Sequence, residues 1–192
     1  MSPEPAAATP AIDVRNLREF FRDAVHEALE RQKVGVEDHT EHYVVNLLTM
    51  FARSEALFEP TTDGPRLKPL ALMLAEAADA PTAEQRSRAL QRLGDVSLFM
   101  SGFLSHGFAR KLVDLDYHIA MGGRAYGTLA GSCGAGARGR ALAGVFAELA
   151  AKFQRLVDAL NDVSEMSWRS SDRDLLRLYE VWLKTGSPRA HA

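Results

Sequence analysis

The sequence predicts an all-α fold, a single-domain helical bundle of about six to seven helices, and three observations carry that reading. Apolar residues recur at spacings of three and four through most of the chain, the repeat of helices with one buried face. Nothing alternates with period two over a useful length, so no strands are expected. Finally, Leu142, Phe146, Leu149, Phe153, Leu156, Leu160 and Val163 alternate fours and threes, the seam of knobs-into-holes packing. That seam predicts one long helix over about 138–166, flanked by alanine and valine rather than paired charges, as suits burial in a bundle.

The elements are expected in the following order. Pro3, Pro5 and Pro10 among alanines mark residues 1–11 as a flexible tail. A first helix runs from about Asp13 to Gln32, with Asn16 and Glu19 or else Asp13 as its cap. Val14, Leu17, Phe20, Phe21, Ala24 and Ala28 form its inner face, and Gly35 suits the turn that follows. A second helix spans about Asp38–Phe58, opened by a capping box of Asp38 with Glu41, with Val44, Leu47, Leu48 and Phe51 inward.

Glu59–Leu67, with two prolines and a glycine, reads as a loop, and a short helix over Pro69–Ala78 starts on its proline. Thr82 and Gln85 cap a fourth helix that is amphipathic to Leu93 and apolar on every side beyond Asp95, so neighbours must cover several of its faces. Gly102 and Gly107 bend or end it near Ser105-His106. A fifth helix starts on Asp114 and continues to about Ala130. The glycine-rich Gly131–Gly139 connection leads into the long helix. A last amphipathic helix, about Ser171–Lys184, turns Leu175, Leu178, Tyr179 and Trp182 inward and stops at Thr185–Pro188. One helical domain over 12–186 and a short tail over 187–192 follow from this order.

Composition narrows the function classes. With 46% hydrophobic and 25% charged residues, the 192-residue chain is globular rather than disordered and large enough for one substantial core. A net charge of −2 lacks the basic excess of an electrostatic nucleic-acid or anionic-membrane binder. The single cysteine, Cys133, excludes an internal disulfide and a Cys-rich zinc cluster. MSPEPAAATPAID is no secretory signal, and no apolar run approaches the ~20 residues of a membrane-spanning helix. A cytoplasmic protein with neither nucleic-acid nor membrane partners is expected.

Several polar residues fall on or near core faces. On the helical period Asp116 shares the apolar side of Leu112, Leu115, Ile119 and Tyr126, and a buried carboxylate needs a donor or cation there, for which Arg110, Arg124, Tyr43 or a ligand would serve. Ala120, Gly123, Gly127 and Gly131 continue its strip, a small-residue groove that admits another helix, or a flat ligand beside Tyr117, Tyr126 and Phe103. Glu41, His106 and Asp116 form the candidate metal set, with His39 and His42, three apart, as lesser candidates; a carboxylate-rich site would favour iron or manganese, more histidine zinc or haem. Asp23 and His26 have a related spacing but belong to a solvated face. No Glu-x-x-His of the di-iron type occurs. Gly134–Gly139 matches GxGxxG, but a helix rather than a strand precedes it, which argues against dinucleotide binding.

The runs LGDVSLFMSGF, VDLDYHIAMGGRAY and DLLRLYEVWLKTGS resemble an uncharacterised family of bacterial all-helical proteins. The resemblance implies a bacterial, intracellular origin and no functional residues. The residues themselves lead to a non-enzymatic helical binding, regulatory or protein-interaction module, homodimeric through packing of its apolar faces, with no cofactor. The alternatives are a metal- or cofactor-dependent bundle enzyme and a sensor of a small apolar ligand.

Overall fold

The computed structural model describes residues 14–52, 54–62, 64–104, 114–134 and 136–169. Helices dominate: α1 (Val14–Gln32), α2 (Asp38–Phe51), α3 (Ser54–Leu57), α4 (Leu70–Asp79), α5 (Ala83–Leu98), α6 (Leu115–Ser132), α7 (Ala137–Ala151) and α8 (Phe153–Arg169). The last expected helix, over 171–184, and both tails lie outside the described residues.

α1 and α2 pack together because their repeating apolar faces need cover, Phe21, Ala24, Val25 and Ala28 from one, Val44, Leu47, Leu48 and Phe51 from the other, all buried. α1 ends on a left-handed residue that is Lys33 (φ 53°), not the expected Gly35. The Val34 amide bonds back to the Leu29 carbonyl (2.9 Å) and both side chains are buried, the hydrophobic closure of a Schellman turn. α2 starts on Glu37, whose side chain makes no capping bond, so the Asp38–Glu41 box does not form; Asp38 is already the first helical residue.

The expected second helix is cut short at Phe51, and Ser54–Leu57 makes a separate turn of helix. Arg92 fills the gap below it: its guanidinium donates to the Ala56 and Leu57 carbonyls (2.6 and 2.8 Å) and lies 5.1 Å over the Phe51 ring. These are orphan acceptors at a helix end, which a cation satisfies well. The expected loop also contains two three-residue strands, β1 (Glu59–Thr61) and β2 (Gly64–Arg66), paired antiparallel, with Gly64 at φ 105°. A strand pair this short leaves no alternation to read. Pro69 stands just before α4 as its N-cap rather than as its first residue.

α5 opens as predicted: Thr82 Oγ1 accepts from the Gln85 amide (3.1 Å). Its C-terminal half, from Leu93 to Leu98, is buried at every position, and it runs directly into a π-helical turn, Phe99–Phe103, equally buried. This segment is the centre of the molecule. α4, α6 and α8 all pack against α5 or the turn that extends it. α6 starts on Asp114, whose carboxylate accepts from the Tyr117 amide (3.1 Å).

The long helix expected over 138–166 covers the right residues but is two helices, interrupted at Lys152 (φ −109°, ψ 15°). The Lys152 ammonium reaches the Gly35 carbonyl (2.5 Å) and Glu148 Oε1 (2.6 Å), tying the break to the α1–α2 connection. The apolar seam survives because the break costs no residue: Phe146, Leu149, Phe153, Leu156, Leu160 and Val163 are all buried, and only Leu142 stays exposed.

Candidate functional site

The polar centre of the fold is Asp95, on the buried half of α5 and only 6% exposed. Two tyrosines from different helices donate to the same oxygen, Oδ1: Tyr43 of α2 and Tyr126 of α6, each at 2.7 Å. Gln91 Nε2, one turn earlier on α5, donates to the Tyr43 hydroxyl (2.9 Å). The cluster is possible because residue 94 is glycine; a Cβ there would fall 2.6 Å from the Tyr126 ring. The rings lock one another, Tyr43 edge-on to Phe146 (5.7 Å) and Tyr126 stacked on it (5.8 Å).

Burial pushes the Asp95 carboxyl up to about 6, against the two tyrosine donors and the Arg92 charge, which pull it down. Both tyrosines are held far above their ordinary range, by burial first and by the Asp95 charge second. They therefore remain donors, and Asp95 is the group that can change charge within the pH range of a cell. The sequence carries the signal, since a lone carboxylate at the edge of an apolar run must find a donor.

The residues singled out from the sequence are placed differently. Asp116, expected on the apolar side of its helix, is exposed, as are Tyr117, Ala120 and Gly127; Gly123 is half-buried. The buried side of α6 is Gly122, Ala125, Tyr126 and Leu129, rotated away from the expected face, and Leu115 is exposed. The rotation has a physical reason in Gly122, where α6 comes so close to α8 that a Cβ would sit 2.3 Å from the Phe153 ring. At Gly123 and Gly127 a Cβ would make ordinary contacts with Phe153 and Ala150 near 3.9 Å. Tyr126 and Phe103 are both buried but in different company, Phe103 packing on Phe21 and Phe99 (5.7 and 5.3 Å). Tyr43, considered as a donor to Asp116, serves Asp95 instead.

Of the metal set, His106 lies outside the described residues, Asp116 is exposed on α6, and Glu41 accepts from His26 Nδ1 (3.2 Å) across the α1–α2 contact. Among the described residues no three histidine, cysteine or carboxylate side chains gather in a way that could hold a metal ion. Cys133 is half-buried, its thiol donating to the Leu129 carbonyl (3.2 Å). The glycine-rich segment joins α6 to α7, helix to helix, as the rejection of a dinucleotide fingerprint requires.

Two surface concavities flank α2. Between α1 and α2 lies a cleft of about 610 Å³ in which Arg18, Arg22, His26 and His42 meet Glu19, Asp38 and Glu41, so opposite charges face one another. Arg18 Nη2 donates to His42 Nε2 (3.1 Å) there. On the other flank a groove of about 280 Å³ separates α2 from α7, with Tyr43 in its wall.

No protein-family model, curated protein or solved structure matches the chain, so the resemblance to a bacterial helical family rests on the three runs that suggested it. Within the described residues, no helix is long and apolar enough to cross a membrane.

Proposed function

We propose that the chain is a non-enzymatic helical interaction module that binds a protein surface, a second copy of itself first of all. The observation that supports this is α4. A helix apolar on all sides is normally covered on all sides, and Glu76 and Asp79 are the only polar residues of α4. Yet only Leu70, Met73 and Ala77 are buried. Ala71, Leu74, Ala75 and Ala78 recur at helical spacing on the outward side, and all are exposed. Leu74 is 43% open, and Leu72, on the opposite flank of the stripe beside Glu76 and Asp79, is 55% open.

Covering a leucine is worth roughly 1.5–3 kcal/mol when complete, and Leu72 and Leu74, on opposite flanks of the exposed alanine stripe, would each be covered at an edge of the contact. A standard interface takes about 800 Å² from each partner, which makes α4 its centre and the surrounding polar residues its rim. Our reading includes a bacterial, cytoplasmic location, supported by the family resemblance and by the lone cysteine. No observation among the described residues favours the metal-dependent alternative.

Light scattering on a size-exclusion column tests the reading. The expected mass is twice 21.1 kDa, falling to 21.1 kDa for the Leu72→Glu/Leu74→Glu double variant. A wild-type mass of 21.1 kDa at every concentration removes self-association.

A further inference from the structure

The groove between α2 and α7 has a chemistry that its neighbour lacks. Each wall is a single helical stripe. The α7 wall runs Arg138, Ala141, Leu142, Val145, apolar but for the guanidinium at the start of the helix. The facing α2 stripe runs His39, His42, Tyr43, Asn46. None of the eight is a carboxylate, in a chain with 25 acidic residues, whereas the α1–α2 cleft mixes its basic side chains with Glu19, Asp38 and Glu41. Within the described residues, the side chains of His39, Asn46 and Arg138 make no hydrogen bond or ion pair with the protein, so their donors are free for something else.

The other features suit an apolar body. Leu142 is 38% exposed, although it belongs to the seam whose other members are buried. Tyr43 presents a ring that cannot swing away, because its hydroxyl is fixed by Asp95 and Gln91 and its edge by Phe146. The volume of about 280 Å³ leaves room for about nine non-hydrogen atoms at the ~30 Å³ each that liquid water occupies.

We infer that this groove binds a small monocarboxylate with an apolar tail, its carboxylate on Arg138 and Asn46, at the end where α7 starts, and its tail along Leu142, Val145 and the Tyr43 ring. A guanidinium and a carboxylate can pair through two parallel hydrogen bonds, which fixes the anion end. The ligand then spans α2 and α7 above a hydroxyl bound to the central carboxylate of the fold. This inference does not depend on α4 or on self-association.

Hexanoate is the probe, with acetate as the anion lacking a tail and 1-hexanol as the tail lacking a charge. Titrations followed by amide NMR shifts should saturate for hexanoate and move residues 39–46 and 138–145. Hexanoate should bind at least about tenfold more tightly than either control, since each loses one of the two contributions. Arg138→Ala should weaken hexanoate about tenfold and Leu142→Ser several-fold. Both positions are exposed, and unchanged melting of the variants confirms that the fold is intact. The inference is overturned if hexanoate gives no saturable shifts, if its shifts map to the α1–α2 cleft, or if the two variants bind it as well as wild type. It is equally overturned if a peptide with a free carboxyl terminus binds here while hexanoate does not, since the occupant is then a protein.

Discussion

Asp95 and Glu148 each bind separate parts of the molecule together, and they are held in opposite protonation regimes. Asp95 is enclosed by two phenols and an apolar shell, and burial raises its carboxyl to about 6. Glu148 sits at the α7–α8 break, its Oε1 on the Lys152 ammonium (2.6 Å) and its Oε2 accepting the Glu37 amide (3.0 Å). Burial pushes Glu148 up as well, but Lys152, the nearby Thr40 hydroxyl and the Glu37 amide outweigh it and hold the carboxyl below its ordinary value. The two differ in depth and in partners: desolvation dominates at the enclosed Asp95 despite two phenols and the Arg92 charge, whereas at the shallower Glu148 a contacting ammonium and an amide outweigh it.

The largest effect that could break this comparison is removal of the acceptor itself. Asp95→Leu leaves the Tyr43 and Tyr126 hydroxyls without their acceptor, Tyr43 keeping only the Gln91 donor, and should cost about 3–4 kcal/mol in urea unfolding. A loss under about 1 kcal/mol would mean that the phenols find water or other acceptors.

Next comes pH. The folded Asp95 binds its proton more tightly than the unfolded chain does, so its contribution falls as pH rises from about 4 to about 6, by about 3 kcal/mol. Glu148 runs the other way: its stabilisation is complete above the ordinary glutamate range and is lost as pH falls through its lowered folded value. Asp95→Asn keeps an oxygen for both phenols and cannot ionise, so its stability should be flat over pH 4–6 apart from the other carboxylates. A wild type and an Asn variant with the same pH profile would show that Asp95 does not titrate there.

Smaller again, Gly94→Ala drives a methyl into the Tyr126 ring and should cost about 2 kcal/mol. By displacing that phenol it should also move the Asp95 titration upward, readable by carboxyl-carbon NMR. Least of all, Glu148→Gln should cost about 1 kcal/mol at neutral pH and nothing in acid, where the wild-type carboxyl is itself protonated.

Much of the fold was legible because its elements advertise themselves locally. Thr82 with Gln85, Asp114 before α6, and the inner faces of α1 and α2 are short-range patterns with a direct physical cause. The break at Lys152 was not legible, since neither glycine nor proline marks it and the seam continues across it. Nor was the facing of α6, because Gly122, Gly123 and Gly127 look alike in sequence and, of the three, only Gly122 lies too close to its neighbours to admit a Cβ. The Asp116 expectation failed with that rotation. The Asp95 cluster is not legible locally, because its partners, Tyr43 and Tyr126, come from helices distant in the chain.

α4 poses the question on which function turns, namely whether its outward leucines are covered in the working protein. Methyl relaxation of Leu72 and Leu74 by a soluble paramagnet, followed through a dilution series, answers it directly. Protection at high concentration that disappears on dilution, while the Leu142 methyls stay open throughout, is the predicted result. Leucine methyls on α4 equally open at every concentration would contradict self-association through this face.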